Sequence, residues 1–206
     1  MLDTAQDMTE VTDPFTYHVI SDVLTPQDVA LLETTAPVDG AEPAVALQPG
    51  REKNYRMNIL YLMYQDETRP AADALTGPWE TLYDELTGDA FLDWLTDNTR
   101  LPLREAKLDL AVYRHVEGDF ISVHKDKTEK LLTAIVYLNS SWPTDGGGAY
   151  EVRSCSDPAV PPARSLPPRG GSMLAFPPSE RSWHSVGKVK AGTPTRLTVQ
   201  LEFWKP

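Results

Sequence analysis

The sequence predicts a mainly β, α+β fold, with helices first and a β core of sandwich, jelly-roll or barrel type after them. Three observations carry this reading. Helix-start signals and helical spacing are confined to the first hundred residues. From Leu108 onward, short alternating strands follow one another between Gly and Pro turns. A length of 206 residues, 41% of them hydrophobic, is enough for one sizeable core. A single domain over 1–206 is therefore expected, with residues 1–107 supporting a core at 108–204.

The elements follow in order. The first dozen residues read as a frayed tail, and Phe15–Ile20 alternates loosely as a strand. Thr25-Pro26-Gln27-Asp28 starts a helix, with Thr as cap, Pro first and an acid in the first turn; it runs to about Thr35. Ala36–Gly50, with three prolines and two glycines, reads as a loop, and Tyr55–Tyr64 as a strand. Leu75, Trp79, Leu82 and Leu86 keep helical spacing, Gly88 punctuates, and Phe91–Thr99 offers a second helical stretch. In the core, Leu108, Leu110 and Val112 alternate with Asp109, Ala111 and Tyr113, and Leu131–Leu138 is a buried strand by its β-branched and apolar content. Gly146–Gly148 precedes a strand at Ala149–Arg153, a loop with five prolines spans Ser154–Arg169, and Ser172–Phe176, Ser185–Lys190 and Arg196–Trp204 complete the set. The two long loops, Ala36–Gly50 and Ser154–Arg169, are the candidate lids.

Charge narrows the partners. The chain carries 19 basic and 30 acidic residues, a net of −11. Residues 1–50 hold nine of the acids and no Lys or Arg, so the rest of the chain is nearly balanced. No basic footprint for nucleic acid or an anionic membrane is present. No apolar run approaches a membrane span, and the opening MLDTAQDMTE lacks the basic start and apolar stretch of a secretion signal. Cys155 stands alone and cannot form an intrachain disulfide, which fits a reducing compartment. The expectation is a cytoplasmic protein with a small-molecule substrate and neither nucleic acid nor membrane as partner. Its oligomeric state is not legible.

Among four histidines, two open a His-x-acid dyad: His115-Val116-Glu117 and His124-Lys125-Asp126. On a strand, residues i and i+2 share a face, so either dyad can aim an imidazole and a carboxylate at one ion. Composition alone gives about 0.6 such matches, so a dyad by itself is weak. His115 stands at a Gly118-Asp119 turn and reads as a surface turn residue. His124 follows a β-type run and precedes a long strand, and His184, in Ser182-Trp183-His184-Ser185, offers a third ligand. Two histidines and one carboxylate with open positions opposite are the ligand set of non-haem iron(II) oxygenases. In the last strand, Arg196 and Thr198 share the face opposite Leu197, Val199 and Leu201. An arginine turned into a barrel interior needs an anionic partner, and a carboxylate matches its fork.

Taken together, Tyr113, Gly118, His124-Lys-Asp126, Thr133–Asn139, Gly146–Gly148, Gly171–Phe176, His184 and Arg196-Leu-Thr198 resemble, in order and spacing, the iron(II)/2-oxoglutarate-dependent oxygenases of the prolyl-4-hydroxylase-like branch. The resemblance is close over Leu108–Trp204 and loose from Phe15. It implies a double-stranded β-helix (jelly-roll, cupin-like) core and a dioxygenase using iron(II), 2-oxoglutarate and dioxygen, with ascorbate as a stimulant. It implies that His124, Asp126 and His184 hold iron(II), that Arg196 pairs with the distal carboxylate of 2-oxoglutarate beside Thr198, and that Tyr113 donates to the cosubstrate. Prolyl-4-hydroxylases proper have a lysine where Arg196 stands, which points toward bacterial small-molecule relatives. Related halogenases lack the carboxylate, so Asp126 favours hydroxylation. The glycine turn and the Leu131–Leu138 strand read as structural. Substrate contacts are expected from Arg56, Asn58, Tyr61, Trp142, Arg153 and Trp183, which flank core strands or the triad. Three readings stay open: a small-molecule hydroxylase, a peptidyl hydroxylase, and a metal-binding β-barrel sensor without turnover.

Overall fold

In the computed structural model, which describes residues 1–206, thirteen strands join into one curled antiparallel sheet. The first half contributes β1 (Thr9–Val11), β2 (Tyr17–Ile20), α1 (Pro26–Thr34), β3 (Glu42–Ala46), β4 (Tyr55–Tyr64), β5 (Glu67–Thr68), α2 (Pro70–Asp73), α3 (Pro78–Thr87) and α4 (Asp89–Thr99). A 3-10 turn at Leu103–Glu105 leads into β6 (Lys107–His115), β7 (Phe120–His124), β8 (Lys130–Tyr137), β9 (Tyr150–Val152), β10 (Arg164–Leu166), β11 (Met173–Phe176), β12 (His184–Val186) and β13 (Arg196–Trp204). The order across the sheet is β1-β2-β11-β8-β13-β6-β4-β7-β12-β9-β10, with β3 and β5 also on β4. The sheet turns over where Tyr55 and Arg56 of β4 pair with Ile121 and Phe120 of β7. It thereby makes a large leaf and a small leaf, and Tyr150 and Val152 of the small leaf pack against Tyr17, Ile135, Tyr137 and Phe176 of the large one. This is the expected jelly roll.

Period-two alternation decides which side chains line the inside. Leu197, Val199, Leu201 and Phe203 of β13 join Leu110, Val112, Leu132, Ala134 and Val136 on the outer face of the large leaf. The helices cover that face with Val29, Leu32, Trp79, Leu82, Leu86, Phe91 and Leu95. Each fully buried leucine contributes about 1.5–3 kcal/mol through burial. The intervening residues of β13, β6 and β8 therefore point between the leaves: Arg196, Thr198 and Gln200; Ala111, Tyr113 and His115; Thr133, Ile135 and Tyr137.

Helices α1 and α4 fall close to where they are expected, whereas α3 starts only at Pro78, leaving Leu75 outside it, and the short α2 was not foreseen. Thr25 caps α1 through its hydroxyl, which accepts from Asp28 N at 3.2 Å. Two expectations need correction. The N-terminus is not frayed: the Met1 ammonium pairs with Glu85 at 3.1 Å, Leu2 N donates to the same carboxylate, and β1 pairs with β2. Both proline-rich loops contain edge strands, β3 within Ala36–Gly50 and β10 within Ser154–Arg169. Pro43 is tolerated in β3 because β4 is that strand's one neighbour. Residues 1–107 and 108–204 share one sheet, since β2 pairs with β11 and β4 pairs with β6 and β7. No helix is long and apolar enough to cross a membrane.

Candidate active site

His124 ends β7 and His184 opens β12, and these strands pair with the two histidines directly opposite each other. Asp126 follows two residues after His124. One ligand atom from each of the three side chains lies within 4.8 Å of the others. Asp126 Oδ1 is 3.5 Å from His124 Nε2 and 3.9 Å from His184 Nε2. Each imidazole is oriented by a backbone carbonyl: Nδ1 of His124 lies 2.8 Å from Ser122 O, and Nδ1 of His184 2.9 Å from Ser182 O. A carbonyl only accepts, so Nδ1 carries the proton and Nε2 presents its lone pair to the centre. Stacking on Tyr150, with ring centroids 5.2 Å apart, fixes the plane of His184.

Asp126 is held on its other oxygen. Thr133 Oγ1 donates to Oδ2 at 2.8 Å and Lys130 Nζ at 3.3 Å, while Lys130 also pairs with Glu202 at 2.7 Å. That leaves Oδ1 turned to the histidines. Burial pushes the Asp126 carboxyl up, but Lys130, then His124 and His184, more than reverse this and hold it well below the usual carboxylate range. Lys130 was not singled out from the sequence, nor was Thr133, whose strand read as purely structural. Supporting contacts of this kind are typically worth 10–100-fold in metal affinity. Lys130→Met is therefore expected to weaken iron(II) binding by about that factor in a chelator-competition titration, with Lys130→Arg closer to the parent. Equal affinities would remove Lys130 from this role.

Arg196 opens β13 inside the barrel, 2% exposed. Its Nε donates to Gly148 O at 2.8 Å, and its guanidinium lies 5.3 Å from the Tyr137 ring centroid. The glycine turn thus has a part in the site. Gly148 sits at φ +66°, and a Cβ there would meet the Trp142 ring at 2.9 Å and Arg196 Cδ at 3.3 Å. Around Arg196, several buried polar atoms have no partner: its own Nη2, the Tyr137 and Tyr150 hydroxyls, and both ring nitrogens of His115. Buried polar groups are rarely left unpaired, so a polar ligand belongs here. A cavity lined by His115, Arg196, Tyr150 and the three convergent residues, with Ile121, Ile135, Phe176 and Val186 as apolar walls, joins this cluster to the triad.

His115 corrects the sequence reading. It is 1% exposed, on the interior face of β6, and register partner of Arg196. The turn begins one residue later, so alternation with Ala111 and Tyr113 carries His115 inward. Tyr113 pairs across with Thr198 and packs with Met57 and Ala111. Both face the interior, but neither lines the cavity that holds Arg196.

Most expected substrate contacts are committed elsewhere. Arg56, 45% exposed, pins the Glu117–Asp119 turn through Asp119 Oδ1 at 2.7 Å and Glu117 O at 3.1 Å. Arg153 spends its donors on Ser185, Val160 and Glu151. Trp142 donates to Gly147 O at 2.9 Å and braces the glycine turn. Tyr61 stacks edge-on with Tyr64 along an outer groove, and Asn58 lies mid-strand, paired with Arg114 and Pro43. Trp183 adjoins His184, with Lys125 5.1 Å over its ring at the rim.

Burial sets the charge state of the site histidines. It holds the His184 pKa down at about 3, lowers that of His124, and pushes that of His115 well below the ordinary value, with Arg196 acting in the same direction on His115. In the unfolded chain the same residues titrate near 6.5. Between the folded and unfolded values the unfolded chain binds more protons, so stability is complete above about pH 6.5 and is lost as pH falls below it. The melting temperature of the metal-free protein is expected to fall on going from about pH 7 to about pH 5, and less in His115→Gln. Identical pH profiles for the two proteins would contradict the neutral, buried His115.

Comparison with known proteins agrees with this geometry. Residues 108–204 match the sequence model of the 2OG-Fe(II) oxygenase superfamily. Prolyl 3-hydroxylase OGFOD1 of Mus musculus is 25% identical over 198 residues, 94% of this chain and 33% of that protein. Its counterpart in Xenopus laevis is 30% identical over 116 residues, 55% of this chain and 22% of that one. The chain thus spans a third or less of these relatives. A Pseudomonas putida prolyl-4-hydroxylase structure superposes with a TM-score of 0.63 at 15% identity, covering 92% of each chain. Residues 108–204 thus match the 2OG-Fe(II) oxygenase superfamily, and their jelly roll and converging His-Asp-His set supply the donors that iron(II) and 2-oxoglutarate would need.

Proposed function

We propose that the chain hydroxylates an unactivated C–H bond of a small molecule, using iron(II), 2-oxoglutarate and dioxygen. The observation that carries this reading is the cavity joining three convergent ligands to a buried arginine amid unpartnered polar atoms. His124 Nε2, His184 Nε2 and Asp126 Oδ1 would hold the metal. Arg196 would take the distal carboxylate of 2-oxoglutarate by a charge-assisted contact, and His115, Tyr137 and Tyr150 supply further polar groups around it.

When bound, the iron and its cosubstrate supply the oxidation, in which 2-oxoglutarate becomes succinate and carbon dioxide and one oxygen atom enters the substrate C–H bond. The chain's own residues position and enclose. Ser122 and Ser182 carbonyls fix both imidazoles, Lys130 and Thr133 fix Asp126, and Ile121, Ile135, Phe176 and Val186 form the apolar walls of the cavity. A carboxylate ligand at Asp126 leaves no vacancy for halide, which favours hydroxylation over halogenation.

A second reading is hydroxylation of a prolyl residue in a partner protein. The similarity to prolyl 3-hydroxylases OGFOD1 supports it. The two separate in one assay of succinate release with product mass. Small molecules that gain one oxygen and couple to succinate support the first reading. Coupling restricted to proline-containing peptides would replace it with the second.

A further inference from the structure

Lys53 is a cation that metal and cosubstrate binding leave without a counter-charge. It ends the loop between β3 and β4, and that loop is fastened beside the metal site. Asn54 N donates to Ser122 Oγ and Ser122 N to Asn54 O, both at 2.8 Å, while Gln48 N donates to Asn54 Oδ1 at 2.7 Å. Ser122 is also the residue whose carbonyl orients His124. The loop end and the metal ligand are thus held by one residue, and Lys53 lines the cavity together with His124, Asp126, His184 and Arg196. No carboxylate is within ion-pair distance of its Nζ, which lies 6.0 Å from the Tyr55 ring centroid. Burial lowers its pKa, with Asp126 acting against that.

The charges around the cavity can be counted. Asp126 and Glu202 bring two negative charges; Lys130, Arg196 and Lys53 bring three positive ones, and the nearby Lys127 is exposed and solvated outside it. The neighbouring pairs Arg56–Asp119, Lys125–Glu180 and Arg153–Glu151 compensate themselves. Iron(II) and the 2-oxoglutarate dianion cancel each other, so one positive charge remains after loading. Lys130 is engaged by Asp126 and Glu202, and Arg196 by the cosubstrate carboxylate. Lys53 is the one left over: part-exposed, unpaired and lining the cavity, its ammonium is free to take an anion there.

We propose that Lys53 anchors the substrate, and that the group it takes is the carboxylate of a small carboxylic acid. A monoanion matches the single excess charge, whereas a phosphate, at about −1.5 to −2, overshoots it. The inference rests on the oxygenase reading above and names its substrate class.

The test uses the full chain loaded with iron(II) and 2-oxoglutarate. Free L-amino acids, N-acetyl-L-amino acids, their primary amides, and proline peptides blocked at both ends are offered one at a time. Succinate and product mass are the readouts. One or more free acids should raise succinate release and gain an oxygen atom, while the matching amides should not. Lys53→Met should raise the KM of the responding acid about 10- to 150-fold, as loss of a charge-assisted contact predicts. Lys53→Arg should restore most of it. Anaerobic titration should show the 2-oxoglutarate dissociation constant of Lys53→Met within about twofold of the parent, well under the roughly tenfold loss of a charged contact. Amides serving as well as acids, a response from peptides alone, no response from any acid, or a loss of 2-oxoglutarate affinity in Lys53→Met would each overturn the assignment. Absence of all succinate release, even without added substrate, would instead overturn the oxygenase reading.

Discussion

Asp126→Ala is expected to remove stoichiometric iron(II) from the purified protein and to abolish 2-oxoglutarate turnover, the largest effect of any single change. Its carboxylate contributes the only negative charge of the three convergent ligands. It also carries the contacts from Thr133 and Lys130, so truncation leaves Lys130 in a buried position with one of its two anionic partners gone. Losing a ligand and unpairing a buried cation act in the same direction, and breaking a buried pair costs about 3–5 kcal/mol by itself. His184→Ala should likewise lose the metal, without the added electrostatic penalty. The check is metal content after dialysis against a weak chelator, with circular dichroism to confirm folding. A folded Asp126→Ala protein that retains one iron per chain would place the third ligand elsewhere.

Arg196→Leu is expected to keep its iron and lose its cosubstrate. The guanidinium is buried, tied through Nε to Gly148, and has Nη2 free toward the cavity. Removing a charge-assisted contact to an anion costs about 1.5–3 kcal/mol, or roughly 10- to 150-fold in 2-oxoglutarate affinity. Metal affinity should change far less, because Arg196 is not among the convergent ligand residues. His115→Ala should weaken 2-oxoglutarate in the same sense, since its ring lies beside Arg196 with both nitrogens unpartnered. Unchanged 2-oxoglutarate affinity in Arg196→Leu would show that another basic residue holds the carboxylate.

What could be read from the chain was what local periodicity encodes. Arg196 and Thr198 were placed inside because Leu197, Val199, Leu201 and Phe203 alternate with them, and burial of one face fixes the other. His124 and Asp126 were legible because they stand two positions apart, with only Lys125 between them, at the end of a β run. His184 was offered by the need for a third ligand near a late strand, and the family resemblance then singled it out. His115 was misread because Val116–Asp119 carries turn chemistry that hides the last strand residue; extending the Ala111–Tyr113 alternation by one step would have found it. Thr133 and Tyr137 were hidden in a strand buried on both faces, where apolar content masks the polar residues that face a ligand. Lys53 and Lys130 could not be placed at all. Their positions depend on the β3–β4 loop meeting β7 and on Glu202 coming from the last strand, contacts far apart in sequence.

The central claim is that His124, Asp126 and His184 hold an iron(II) ion which 2-oxoglutarate then chelates. Under anaerobic conditions, such a complex has a weak visible charge-transfer absorption that neither partner gives alone. The measurement is the spectrum of the full chain titrated with iron(II), then with 2-oxoglutarate, then compared with succinate in its place. A band that appears with 2-oxoglutarate, saturates at one equivalent and is missing with succinate is the predicted result. Bound iron that shows no such band at saturating 2-oxoglutarate would contradict the claim.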